Sequence, residues 1–237
     1  MFLKGDQTDQ CGFEQCLSNT VGRTVVDLGA NEGGYTVTFL EHGAGRVVAV
    51  EPGPRLSAAM RVRFSGYPVT VIQAGVSDAP GKLTGVTYYN CWTLAHPGEL
   101  TGRIASPAPD AQAIEGTEPF DVDLTTLDAL VDDLRINDLA FVKIDVDGYE
   151  PQVLRGGTRT FRELRPDVLI ELSYLPHDMG ESTEAFIANI YDLGYTLATL
   201  HGEIASAEQV LEHFPWNTSF DMLMVPVERY PDWIALR

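Results

Sequence analysis

The stretch 24–52, TVVDLGANEGGYTVTFLEHGAGRVVAVEP, limits what this chain can fold into more than any other. Thr24–Leu28 is a short β-branched apolar run of strand length, and Gly29 breaks it. Asn31, Glu32, Gly33 and Gly34 form a loop that feeds a helix from about Tyr35 to Glu41. Gly43 and Gly45 end that helix, and Arg46–Val50 is a second apolar run closed by Glu51-Pro52. A β-α-β unit of this kind is half of a nucleotide site. Its glycines let the backbone approach a ligand, and its helix N-terminus turns free N–H groups into the crevice. Glu51, at the tip of the second strand, is placed to accept hydrogen bonds from two ribose hydroxyls. The same glycines would serve a plain turn that binds nothing; the matching acid argues against that.

The details select the nucleotide. A dinucleotide fingerprint needs G-x-G-x-x-G so that a pyrophosphate can lie on the helix N-terminus. Gly29 and Gly34 hold the outer positions, but Asn31 fills the middle one and would crowd a pyrophosphate, while Asp27 adds negative charge beside it. No G-x-x-x-x-G-K-[ST] phosphate loop occurs. A ligand with adenine and ribose, no phosphate and its own positive charge fits better. S-adenosylmethionine carries a sulfonium and an ammonium group, which acids beside the loop attract.

Composition excludes other classes. The charge is −18, from 34 acids against 16 bases, which opposes binding to nucleic-acid phosphates or an anionic membrane surface. No apolar run approaches the roughly 18 residues of a membrane span, and the N-terminus has no signal-peptide core. Cys11, Cys16 and Cys91 are odd in number, lack metal-site spacing and suit a reducing cytoplasm.

The rest of the chain continues the alternation. Leu56, Met60 and Phe64 recur at helical spacing, and Val69–Gln73 is a third strand ending in the turn Ala74–Asp78. Residues 1–20 read as an N-terminal extension with one short helix. Residues 80–119 are rich in Pro and Gly, interleaved with Tyr88, Tyr89, Trp92 and His96. They read as a substrate lid or insertion, with a hairpin strand near Leu83–Tyr89. Thr126–Leu134 is a helix, and Leu139–Ile144 is a buried strand leading into Asp145-Val146-Asp147-Gly148-Tyr149-Glu150. Asp167–Leu172 is a fifth strand carrying Glu171, Glu184–Leu193 an amphipathic helix, and Tyr195–Leu200 and Phe220–Pro226 an antiparallel closing hairpin with no comparable helix between them. The fold class is therefore α/β: a Rossmann-like, doubly wound, seven-stranded sheet, mostly parallel with an antiparallel closing strand, in a single domain over 1–237. Ligands of such sheets bind beyond the carboxyl ends of the strands, where Asp27, Glu51, Asp145, Asp147 and Glu171 gather.

VVDLGANEGGYT, VVAVEP, AGVSD, TTLDAL, FVKIDVDGYEPQVLRGG, RPDVLIEL and the late LGY occur in this order between about residues 24 and 200. Their sequence and spacing are similar to the FkbM family of class I S-adenosylmethionine-dependent methyltransferases. KIDVDGYE followed by VLRGG is the most specific part. Asp147 stands where the family more often has Glu; the charge is kept. The resemblance implies that Gly29, Asn31 and Gly33 line the methionine end of the cofactor with Asp27 nearby. It further implies that Glu51 holds the ribose, Gly75 and Val76 flank adenine, Asp78 reaches the adenine amino group, and Asp145 lies beside the sulfonium and the acceptor.

For a hydroxyl acceptor, a positioned base must draw off the proton; Asp145 is the first candidate, then His177, Glu171 and Asp147. Asp145, Asp147 and Glu171 could also offer oxygen ligands to Mg²⁺, though no metal signature is present and none is assigned. The expected partner is a small-molecule methyl acceptor, such as a sugar or a natural-product intermediate, with no nucleic acid and no membrane; a homodimer is compatible. The alternatives are N-methylation of a cationic amine or guanidine, a domain that binds an adenosyl compound without turning it over, and a dehydrogenase.

Overall fold

Every residue of the strands Thr24–Leu28 and Leu139–Ile144 is buried, which only the middle of a sheet covered on both faces allows. In the computed structural model, which describes residues 11–88, 94–95, 118–214 and 219–229, they lie side by side. The described residues open with α1 (Cys11–Ser18), β1 (Thr24–Leu28), α2 (Gly34–Glu41), β2 (Arg46–Val50), α3 (Pro54–Arg63) and β3 (Val69–Ile72). Next come β4 (Gly75–Val76), β5 (Gly81–Tyr88), β6 (Leu94–Ala95), β7 (Phe120–Thr125), α4 (Leu127–Asp133) and β8 (Leu139–Ile144). They are followed by α5 (Glu150–Gly156), α6 (Thr158–Glu163), β9 (Asp167–Ser173), α7 (Leu175–Asp178) and α8 (Thr183–Asp192). Last are β10 (Tyr195–Ala198), β11 (Ile204–Ala205), α9 (Ala207–Glu212) and β12 (Ser219–Pro226).

The main sheet has eight strands in the order β11-β10-β12-β9-β8-β1-β2-β3. Strands β3, β2, β1, β8 and β9 run parallel, and β12 is antiparallel to both β9 and β10. The expected count of seven is corrected by β11, whose two residues pair with Leu197 and Ala198. So short a strand has no periodicity to detect. The closing pair is antiparallel as expected, but α9 lies between its strands. Its signal is Ser206-x-x-Gln209, in which the Ser206 side chain accepts from the Gln209 N–H and Gln209 reaches back to the N–H of Ser206.

Period-two alternation sends the strand side chains into two cores. Val26, Leu28, Val48, Val142, Ile144 and Ile170 pack with α4, α5, α6 and α8 on one face. Val25, Val47, Phe141, Leu169 and Leu223 pack on the other with Phe13, Cys16 and Leu17 of α1 and Phe39 of α2. Phe141 lies 5.5 Å from the Phe39 ring and 6.1 Å from that of Phe13, so the segment before β1 completes this face.

A second sheet, in the order β4-β7-β5-β6, stands beside the first. Gly75-Val76, expected as a turn, runs parallel to Leu124-Thr125, and β5 pairs antiparallel with β7. The hairpin strand expected near Leu83–Tyr89 is β5; Tyr89, Trp92 and His96 fall outside the described residues. No helix among the described residues is long and apolar enough to cross a membrane.

Candidate active site

A cavity of about 570 Å³ opens at the carboxyl ends of β1, β2, β8 and β9, walled on one side by the second sheet. At its β1–β2 end the backbone sets the geometry. Gly29 has φ 73°, and a Cβ there would run into the Asp145 carbonyl oxygen, so only glycine fits. Asn31 sits at φ 52°, a left-handed conformation that asparagine tolerates. That turn points the Asn31 N–H at Glu51 Oε2, 2.9 Å away, while Glu51 Oε1 accepts from the Gly53 N–H at 2.8 Å. The buried carboxylate is thus held from both sides by backbone donors. Leu56, Val76, Leu83, Val86, Val122 and Leu124 supply an apolar wall.

The acid end follows from counting along the strands. Asp27 is two residues after Val25, Lys143 two after Phe141, Glu171 two after Leu169, and Asp221 two before Leu223. All four therefore face the α1–α2 side. Asp27 and Lys143 are direct partners in the β1–β8 ladder, as are Glu171 and Asp221 in the β9–β12 ladder. Lys143 is the buried hub. Its Nζ donates to the Gly29 carbonyl at 2.8 Å and lies 3.0 Å from Asp145 Oδ2, 3.8 Å from Asp27 Oδ1 and 5.3 Å from the Tyr35 ring centroid. The Tyr35 hydroxyl donates to Asp221 Oδ2 at 3.3 Å, and the Thr36 hydroxyl to Asp27 Oδ2 at 2.7 Å.

This crowding shows in the protonation equilibria. Burial would push the Lys143 ammonium down, but Asp27 and then Asp145 more than offset it, and the net shift is upward. Burial, then the charge of Asp145, pushes Glu171 up to about 7. Asp147 rises well above the carboxylate range through burial, then Asp145 and Glu150. Asp221 is raised by burial and by Asp145, and Asp27 by burial against the pull of Lys143. Glu150 is fully buried at the start of α5 and accepts from the N–H groups of Val146 (3.0 Å) and Gly148 (3.3 Å). It shapes the turn that presents Asp147; burial carries its own midpoint to about 7.

Of the residues singled out in the sequence, Gly29, Asn31, Glu51, Gly75, Val76, Asp145, Asp147 and Glu171 line the cavity. Four do not. Asp27 is sealed beneath it, facing Lys143. Gly33, at φ 82°, packs behind the loop, where a Cβ would strike the Phe64 ring. Asp78 is turned away, its carboxylate 3.0 Å from Arg155. His177 is exposed on α7. Lys143, Tyr35 and Asp221 join the site without having stood out in the sequence. The signal for Lys143 is a cation inside the apolar run LAFVKI, on the same face as Phe141. Among the described residues, no group of three or more His, Cys, Asp or Glu side chains is arranged to hold a metal ion.

A doubly held carboxylate at the β2 tip, an apolar slot and an excess of acids fit a cationic adenosyl compound, and the cavity is of ligand size. The sheet with its glycine loop after β1 is the fold of the class I S-adenosylmethionine-dependent methyltransferases. Within that class, the model of the methyltransferase FkbM domain matches residues 27–197, and the chain belongs to the FkbM methyltransferase family, with S-adenosylmethionine as methyl donor. Two curated relatives match over a shorter stretch. The ribosomal RNA small subunit methyltransferase A of Methylobacterium radiotolerans is 35% identical over 97 residues, covering 36% of this chain and 33% of that protein. The tRNA U34 carboxymethyltransferase of Cellvibrio japonicus is 29% identical over 100 residues, covering 37% and 31%. The match thus spans about a third of each relative. Among solved structures, a methyltransferase FkbM from Methylobacillus flagellatus KT aligns at 16% identity and TM-score 0.48, over 85% of this chain and 43% of that one. A precorrin-6y C5,15-methyltransferase from Geobacter metallireducens GS-15 aligns at 13% and 0.45, over 83% and 75%.

Proposed function

We propose that residues 1–237 act as one methyltransferase domain that methylates a hydroxyl group of a small molecule, such as a sugar or a natural-product intermediate. The observation that carries this reading is Glu171, a carboxyl on the cavity wall whose midpoint stands at about 7. A hydroxyl is a poor nucleophile until its proton is drawn off, and a base works best with a pKa near the working pH. The donor supplies a methyl group on positively charged sulfur, which departs as a neutral thioether. The chain's residues do the remaining work. Glu51 holds the ribose, Gly29 and Asn31 shape the loop around the methionine end, and Gly75 and Val76 border the adenine. The apolar wall excludes water. Asp145, paired with Lys143, orients the acceptor, and Glu171 takes its proton. Alignment of this kind lowers barriers by roughly 7–11 kcal/mol in favourable systems.

The acids around the cavity outnumber the single ammonium of Lys143, and this favours a second reading, N-methylation of a cationic amine or guanidine. The same acids and the net charge of −18 oppose an RNA acceptor of the kind named for the two curated relatives. Asp145 is already paired with the Lys143 ammonium at 3.0 Å, which favours a reaction without a divalent ion at that carboxylate. Methyl transfer from labelled S-adenosylmethionine to hydroxylated compounds, amines and structured RNA, with and without chelator, tests the proposal. Turnover of a hydroxyl compound that survives chelation is the expected outcome; strictly amine- or RNA-dependent turnover would reject it.

A further inference from the structure

Lys143 is the only described cation that reaches both ends of the cavity. It projects from β8, and its ammonium is at hydrogen-bond distance from two backbone carbonyls of the β1 end, Gly29 (2.8 Å) and Leu28 (3.5 Å). From the same nitrogen it is 3.0 Å from Asp145, on the segment that follows its own strand. Lys143 is buried, while the Asp145 side chain is 40% exposed toward the cavity, so the pair joins a sealed cation to a carboxylate with access to ligand. Beneath it lie the buried carboxylate of Asp27 and, to one side, the Tyr35 ring. Those two groups offset the cost of burying an ammonium, since a buried charge persists only when paired.

A lysine this enclosed is too hemmed in to meet an acceptor freely, and both carbonyls it touches belong to backbone. We infer that Lys143 is a positioning residue of the methyl-transfer site: its ammonium pins the glycine-loop carbonyl of Gly29 to the carboxylate of Asp145 and so holds the two walls of the donor cavity in register. The inference rests on the donor occupying this cavity. It assigns Lys143 no contact with the reacting atoms. It makes the Gly29 loop and the Asp145 segment one mechanical unit, joined further by the bond from the Asp145 N–H to the Leu28 carbonyl at 3.3 Å. A bond of this strength, to a charged group, is worth about a tenfold change or more in any equilibrium that depends on it.

The test is a double-mutant cycle read by S-adenosylhomocysteine calorimetry, with thermal unfolding as the control. Lys143→Met, Asp145→Asn and the pair are compared with wild type, and Lys143→Arg restores a buried cation. If the pin exists, each single substitution weakens binding by about tenfold or more. The pair then loses no more than the larger single loss, and Lys143→Arg binds better than Lys143→Met. Losses that multiply in the pair, or a cooperatively folded Lys143→Met with wild-type affinity, would overturn the inference. Should Lys143→Met not fold, Lys143→Gln takes its place in the cycle with Asp145→Asn, with the same non-additive or multiplying outcomes deciding it. The product nucleoside needs no acceptor. A cycle that stands while no hydroxyl compound is methylated would therefore reject the proposed acceptor and leave the pin intact; a wild type that takes up no S-adenosylhomocysteine would reject the donor placement itself.

Discussion

At the β1–β2 end of the cavity, Gly29, Asn31 and Glu51 come from one β-α-β unit and are fixed by backbone: two left-handed turns and two N–H groups on one carboxylate. At the acid end, Asp27, Lys143, Glu171 and Asp221 come from four strands and are brought together only by the register of the sheet. The first end is rigid and tolerates few side chains. The second is a set of like charges around one ammonium, so its properties depend on pH and on each neighbour's charge. On the proposed reading a cationic adenosyl ligand would suit both: the first end would hold its sugar without needing charge, and the second would attract the charge without needing shape.

The comparison breaks most easily at Glu171. Glu171→Gln should lower methyl transfer to a hydroxyl acceptor by roughly 10²–10⁴-fold while leaving S-adenosylhomocysteine affinity close to wild type. In wild type, activity should rise with pH through a midpoint at about 7 as the carboxyl loses its proton. A profile flat across neutral pH, or unchanged in the variant, would remove Glu171 as the base.

Gly29→Ala probes the rigid end. It places a Cβ against the Asp145 carbonyl in a backbone conformation that favours glycine. The expected cost is about 3 kcal/mol or more in thermal or denaturant unfolding, with loss of nucleoside binding. A variant of wild-type stability would show that the loop yields and that the two ends differ less than their geometry implies.

Glu150→Gln sharpens the contrast with the smallest effect. The folded-state midpoint of Glu150 is raised from 4.5 to about 7. The native state therefore holds the proton more tightly than the unfolded chain, and the stabilisation present below pH 4.5 is lost as pH rises toward 7. This loss amounts to at most about 3 kcal/mol, and Glu150→Gln should flatten it while keeping an acceptor for Val146 and Gly148. Urea melts at several pH values measure it; identical pH dependence in the two proteins would show that burial of Glu150 is not its source.

What could be read from the sequence divides along the same line. The placement of Gly29, Asn31 and Glu51 at the cavity was legible because their constraints are local: a turn, a glycine and an acid within one unit. The strands and the amphipathic helices were legible for the same reason; Leu56, Met60 and Phe64 do form one buried face. Lys143 and Asp221 were not, because their importance lies in which strands become neighbours and in what register, and a single strand does not state that. Asp78 illustrates the converse. It sits in a recognisable turn, yet Arg155, far along the chain, draws it away from the cavity. The second sheet was hidden because β4 is two residues long and gains strand character only by pairing with β7.

The most direct measurement is titration calorimetry of S-adenosylhomocysteine with wild type and Glu51→Ala. Wild type should give a clear heat of binding. The variant, still unfolding cooperatively, should bind about tenfold or more weaker, because the hydrogen bonds to the ribose hydroxyls are lost. Equal affinities, or no heat with wild type, would contradict the assignment of this cavity to the methyl donor.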